Sequence, residues 1–97
     1  MHKWKFVGSI SAWNSVPLPN EYLEILAVVE IPYTGYPLGV FFVLSKNDMT
    51  DVTRYFDSGS PNAYARIGAH TDFIALNHAY AYNAEYTNIA ILKVYYR

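Results

Sequence analysis

His70, Asp72 and His78 are the one set of side chains in this 97-residue chain whose types suit a metal ion, and Ser58 and Ser60, which flank Gly59, are the serines to weigh as nucleophiles. Imidazole and carboxylate groups hold zinc when three or four converge, each about 2 Å from the ion. Convergence fails here. A hairpin turning at Thr71-Asp72 sets His70 beside Phe73 and carries His78 several residues up the ladder, near Ala65. Ligands so far apart do not share one ion. Asp72 reads as a turn residue and His70 as a strand-end side chain. The serines sit in "DSGSP" (57–61), which lacks the strand-turn-helix frame of an activated serine. The carboxylate pairs Glu21/Glu24 and Asp48/Asp51 lie in polar stretches. General-acid work needs one carboxyl moved from its ordinary range by burial or a neighbour. With no cysteine, thiolate chemistry and disulfides are excluded. The residues therefore argue against an enzyme and call for no cofactor and no metal.

The distinctive resource is aromatic: 18% of the chain, with ten tyrosines. Trp4, Phe6, Phe42, Phe56 and Tyr96 have core-facing parity, and Trp13 suits the cap of one end. Tyr33, Tyr36, Tyr64, Tyr80, Tyr82, Tyr86 and Tyr95 remain for the surface or rim. A phenol offers flat apolar area and a hydroxyl at low entropic cost. That suits the C–H faces of sugars, and it suits subunit interfaces. Tyrosine also favours strands and stabilises cross-strand pairs, so rings set against alanine, as in Tyr64–Ala79 and Tyr80–Ala90, serve the sheet itself. The candidate ligand contacts are Tyr33 and Tyr36 in the loop "PYTGYP" (32–37), and Tyr64 with Arg66 beside it. Tyr80 and Tyr82 are the candidate interface residues.

Charge narrows the partners. The formal net charge is −1, and the seven basic residues are scattered. A phosphate-tracking surface needs concentrated positive charge, so nucleic acid is not expected. The longest apolar run, "LGVFFVL" (38–44), is far shorter than the roughly 20 residues a bilayer-spanning helix needs. The start, "MHKWKFVGS", has no apolar signal-peptide core. Hydrophobic residues at 53% against 15% charged make the chain a folded domain, and its length makes it one domain, residues 1–97.

Strands must position these rings. "KWKFVG" sets Lys3 and Lys5 against Trp4 and Phe6. "SVPLP" is an edge strand or extended connection by its prolines. In 22–31, Leu23, Ile25, Ala27, Val29 and Ile31 share one face and Glu24 and Glu30 mark the wetter one. "LGVFFVLS" is apolar on both faces and predicts a central, doubly covered strand. "KNDMTDVT" (46–53) is the sole helical candidate, one turn with Asp48 as its cap. "RYF" (54–56) suggests a short strand, and "DSGSPN" (57–62) a loop. In 63–70, Ala63, Ala65, Ile67 and Ala69 form the drier face. Strands at 73–82 and 88–97 complete the chain.

Pairing these strands tests the pattern. A turn at Thr71-Asp72 opposes Ile67 to Leu76 and Ala69 to Ile74, with Arg66 opposite Asn77 on the other side. A loop near Ala84–Tyr86 then opposes Leu76 to Val94, Ile74 to Tyr96 and Tyr80 to Ala90. A slip of one residue would reverse every side chain. About eight short strands so spaced predict an all-β fold, an antiparallel, jelly-roll-like β-sandwich.

Taken together, "WKFVGS", "LPNEYLEILAVVEI", "RYFDSGSPNAYARIG" and the closing "LKVYYR" resemble a small C-terminal β-sandwich module of tail, baseplate and fibre-type structural proteins of phages and prophages of Gram-positive gut bacteria. The resemblance spans nearly the whole chain but contains no catalytic signature and supplies no binding residues. It implies a virion-surface, non-enzymatic role: contact with a host-surface glycan or protein. A second expectation is assembly without a ligand, as a homo-oligomer such as the homotrimer of fibres. A third, a phage-encoded inhibitor of a host protein, fits less well, since such proteins are typically strongly acidic.

Overall fold

Alternating burial along the chain builds two antiparallel sheets that share one core. The structure is a computed structural model and describes residues 3–11, 14–32, 38–56, 63–81 and 84–97. Trp13, Tyr33, Tyr36, Tyr82 and the loop 57–62 with Ser58 and Ser60 lie outside the described residues. The strands are β1 (Lys5–Ser11), β2 (Ser15–Pro17), β3 (Glu24–Ile31), β4 (Leu38–Ser45), β5 (Val52–Tyr55), β6 (Tyr64–Ala69), β7 (Phe73–Ala81), β8 (Ala84–Glu85) and β9 (Ile91–Tyr96). One sheet has the order β1-β9-β3-β4; the other runs β2-β7-β6-β5, with β8 also on β7. The expected all-β sandwich is what the chain forms. No helix among the described residues is long and apolar enough to cross a membrane.

The core lies between the sheets. From β3 come Ile25, Ala27, Val29 and Ile31, all fully buried; β9 adds Leu92 and Val94, and β4 adds Phe42. The second sheet answers with Ala65 and Ile67 of β6 and Ile74, Leu76, Ala79 and Ala81 of β7. Removing each aliphatic side chain of Val or Ile size from water contributes about 1.5–3 kcal/mol before ordering costs. Phe42 is the largest fully buried side chain. The dry faces expected for β3 and β6 are therefore the core faces, except that Leu23, before β3, is exposed. Tyr22 takes the buried place, and its hydroxyl donates to the Thr71 carbonyl at 2.7 Å.

Several expectations need correction. The segment "LGVFFVLS" is not a central strand: β4 closes one edge of its sheet, and Phe41 and Val43 are 68% and 48% exposed. Apolar character on both faces signals burial only if another layer covers the second face, and none of the described elements does. Strand β9 does not pair with β7. It enters the other sheet between β1 and β3, with Ala27 opposite Val94 and Ile25 opposite Tyr96. Phe6 is 59% exposed rather than core-facing. The β1–β9 register shifts between Phe6 and Gly8, and this bulge puts Phe6 on the outer face against Tyr95, their rings 5.4 Å apart. The expected helical turn is a single 3-10 turn, Lys46–Asp48; Ser45, not Asp48, holds its N-cap position and makes no side-chain cap bond.

Candidate functional site

The β6–β7 hairpin decides which tyrosines reach the surface. Ile67 opposes Leu76 and Ala69 opposes Ile74, as the alternation predicts. Beyond Ile67 the register shifts: Arg66 opposes His78, Ala65 opposes Ala79 and Tyr64 opposes Tyr80. Asn77 is the extra residue of a β-bulge on β7. A bulge of this kind reverses the phase of everything after it. Strict alternation from Leu76 would turn His78 and Tyr80 inward. With the bulge, Ala79 and Ala81 are fully buried, while His78 and Tyr80 turn to the outer face. The expected pairs Arg66–Asn77 and Tyr64–Ala79 are thereby corrected, and Tyr80 meets Tyr64 and Glu85 instead of Ala90.

Rows of side chains now cross the outer face. Tyr55, Tyr64, Tyr80 and Glu85 stand opposite one another across β5, β6, β7 and β8. At about 4.8 Å per strand the row extends roughly 14 Å. Tyr64 and Tyr80 stack at 5.8 Å with planes 25° apart; Tyr55 meets Tyr64 edge-on at 6.3 Å. The adjacent row is Thr53, Arg66 and His78. The His78 ring lies 5.2 Å from that of Tyr64 and 6.3 Å from that of Tyr80. Of the expected contacts, Tyr64 and Arg66 are thus neighbours on this face, and Tyr80, expected at an interface, joins them.

Polar groups border the rings and are themselves held in place. His78 Nε2 lies 2.6 Å from Glu85 Oε1, and the Thr87 hydroxyl donates to the same oxygen at 3.1 Å. Thr87 Oγ1 accepts the Ala79 N–H at 3.0 Å, so a buried side chain continues the ladder where β8 has ended. Arg66 reaches Asp51 at 3.7 Å, with both groups about half exposed. Such a pair contributes little to stability and leaves guanidinium donors free to act. Beside the rings, Asn14, Ser15, Ala75, Leu76 and Asn77 line an open groove of ≈ 690 Å³. It lies along β7 between the start of β2, where Ser15 opposes Ala75, and the end of β8, where Glu85 opposes Tyr80.

The face combines flat rings, a fixed imidazole–carboxylate pair, a guanidinium and amide side chains on rigid strands. His70, by contrast, stacks on Phe73 at 4.4 Å at the far end of the hairpin, as the turn at Thr71-Asp72 requires. Among the described residues no three His, Asp or Glu side chains are grouped to hold a metal ion. Sequence reasoning missed Tyr55, Glu85 and the outward role of His78. One signal was present: Ala65 with Ala79 and Ile67 with Leu76 cannot both pair in an unbroken register, so a bulge must fall between them. No family model, no curated protein and no solved structure matches the chain.

Proposed function

We propose that this chain is a non-catalytic binding module whose ligand is a carbohydrate laid across the outer face of the β5-β6-β7 sheet. The row Tyr55–Tyr64–Tyr80 with Arg66 and His78 alongside carries this reading. The rings offer apolar platforms for sugar C–H faces. Arg66 and Asn77 supply donors, and Glu85 supplies an acceptor for hydroxyls. The open, shallow groove favours an extended chain over a small molecule enclosed on all sides. A site built on paired strands is already in its bound shape, which limits the ordering cost of binding. The setting in a phage tail or fibre, on the virion surface, rests on the sequence resemblance alone.

A glycan array probed with the full chain, followed by calorimetry on the best binder, tests this. Tyr64→Ala and Arg66→Ala should each weaken binding about ten-fold or more, as buried aromatic and arginine anchors do. Phe41→Ser, on the opposite sheet, should not weaken it. A chain that ignores every glycan, or binding untouched by both site variants, overturns the proposal.

A further inference from the structure

Among the described residues the fold guards each open strand edge but one, β8 being only two residues long. An unpaired edge exposes backbone N–H and C=O groups, and proteins blunt it with charge, proline, bulges or short length. β1 carries Lys5 and the bulge after Phe6. β2 is three residues long and ends in Pro17. β5 is four residues long and bears Arg54 opposite Ala65. β4 has eight residues, no charge and no proline, and an unbroken register against β3. Its backbone phase follows from one bond: the Lys46 N–H donates to the Leu23 carbonyl at 3.0 Å. Hydrogen-bonded and non-bonded pairs alternate in an antiparallel ladder. Val40, Phe42 and Leu44 therefore aim their backbone groups at β3, and Gly39, Phe41, Val43 and Ser45 aim theirs outward.

We infer that β4 pairs with β4 of a second copy of this chain, antiparallel about a two-fold axis, to make one continuous eight-stranded sheet. The strand complements itself. Centred on Phe42, the pairing sets Gly39 against Ser45 and Phe41 against Val43, small on small and apolar on apolar. Such self-complementarity is what a two-fold interface demands. The outer row Phe6–Tyr95–Leu26–Val43 then runs on into Phe41 and Val28 of the second copy. A single strand pair is a small seam beside the roughly 800 Å² per partner of a standard interface, so the dimer should be weak and reversible. It leaves the tyrosine face of the other sheet uncovered and does not depend on what that face binds.

Sedimentation velocity on the full chain, from low micromolar to millimolar, is the test. A monomer passing to twice the chain mass supports the pairing, provided Val43→Lys stays monomeric throughout with an unchanged circular dichroism spectrum and Val43→Thr still dimerises. Hydrogen exchange gives a second reading: the Phe41 and Val43 amides should slow at high concentration in the parent chain and not in Val43→Lys. A chain monomeric at millimolar concentration, with these amides exchanging fast, overturns the inference and leaves the edge to a strand from another protein. So does a trimer, or a dimer that survives Val43→Lys.

Discussion

Tyr64 and Tyr80 stack at 5.8 Å across the β6–β7 hairpin, and they do so because one residue, Asn77, is left unpaired between them and the turn. That bulge separates a core-facing stretch, Ile74 and Leu76, from a stretch whose alanines face the core and whose rings face out. Deleting Asn77 should re-phase β7 and drive His78 and Tyr80 against the core. The expected loss is more than about 4 kcal/mol, the range in which core disruption falls. Asn77→Ala, at an exposed side chain, should cost within about 0.5 kcal/mol. Urea denaturation of both variants distinguishes a phase effect from a side-chain effect.

The Thr87 hydroxyl is the buried link between the β7–β8 hairpin and the return to β9. Thr87→Val keeps the shape but leaves the Ala79 N–H without its acceptor. The expected cost is about 1–3 kcal/mol. The same change removes a donor from Glu85, so the His78–Glu85 pair should loosen, seen as broadened His78 ring resonances. A cost below the error of denaturation would show that the hydroxyl is replaceable by water.

The two faces of β4 should respond oppositely to truncation. Phe42 is fully buried, and Phe42→Ala should cost about 3–5 kcal/mol. Phe41 is 68% exposed. Phe41→Ser should leave monomer stability within about 0.5 kcal/mol. Thermal melts at low micromolar concentration make the comparison. Equal losses would mean that the outer face of this sheet is covered.

Tyr22 links stability to alkaline pH. Burial first, and the nearby Asp72 carboxylate second, push its phenol above the ordinary value of about 10. The folded state thus favours the protonated phenol. Its contribution is complete below the unfolded value and is lost as pH rises through the folded one. Stability should fall more steeply above pH 10 in the parent chain than in Tyr22→Phe, which lacks the titration. Tyr22→Phe should also lose about 0.5–1.5 kcal/mol at neutral pH with the bond to Thr71. Parallel denaturation curves of the two proteins from neutral to alkaline pH would contradict this account.

Much of this architecture is legible along the chain. The period-two sorting of Ile25, Ala27, Val29 and Ile31, and of Ala63, Ala65, Ile67 and Ala69, marks core faces because successive side chains in a strand point to opposite sides. The turn at Thr71-Asp72 sets the near half of the β6–β7 register. Tyr64 and Arg66 stand out as an aromatic with a polar neighbour, and both are on the candidate face. Local pattern is enough for these because each depends on residues a few positions apart.

What the linear pattern left open depends on which strand lies beside which. Alternation cannot tell that β9 would enter between β1 and β3, 60 residues away from β3 in sequence, or that β4 would end a sheet with Phe41 bare. Nor does it weigh two competing matches, Ile67 with Leu76 and Ala65 with Ala79, which only a bulge satisfies together. The sequence by itself determined the strands and their wet and dry sides, through the two-residue repeat of the extended backbone. Tertiary packing decided the partners, the edges and the outward turn of Tyr80 and His78, because long-range pairing is chosen by the fit of whole faces in one shared core.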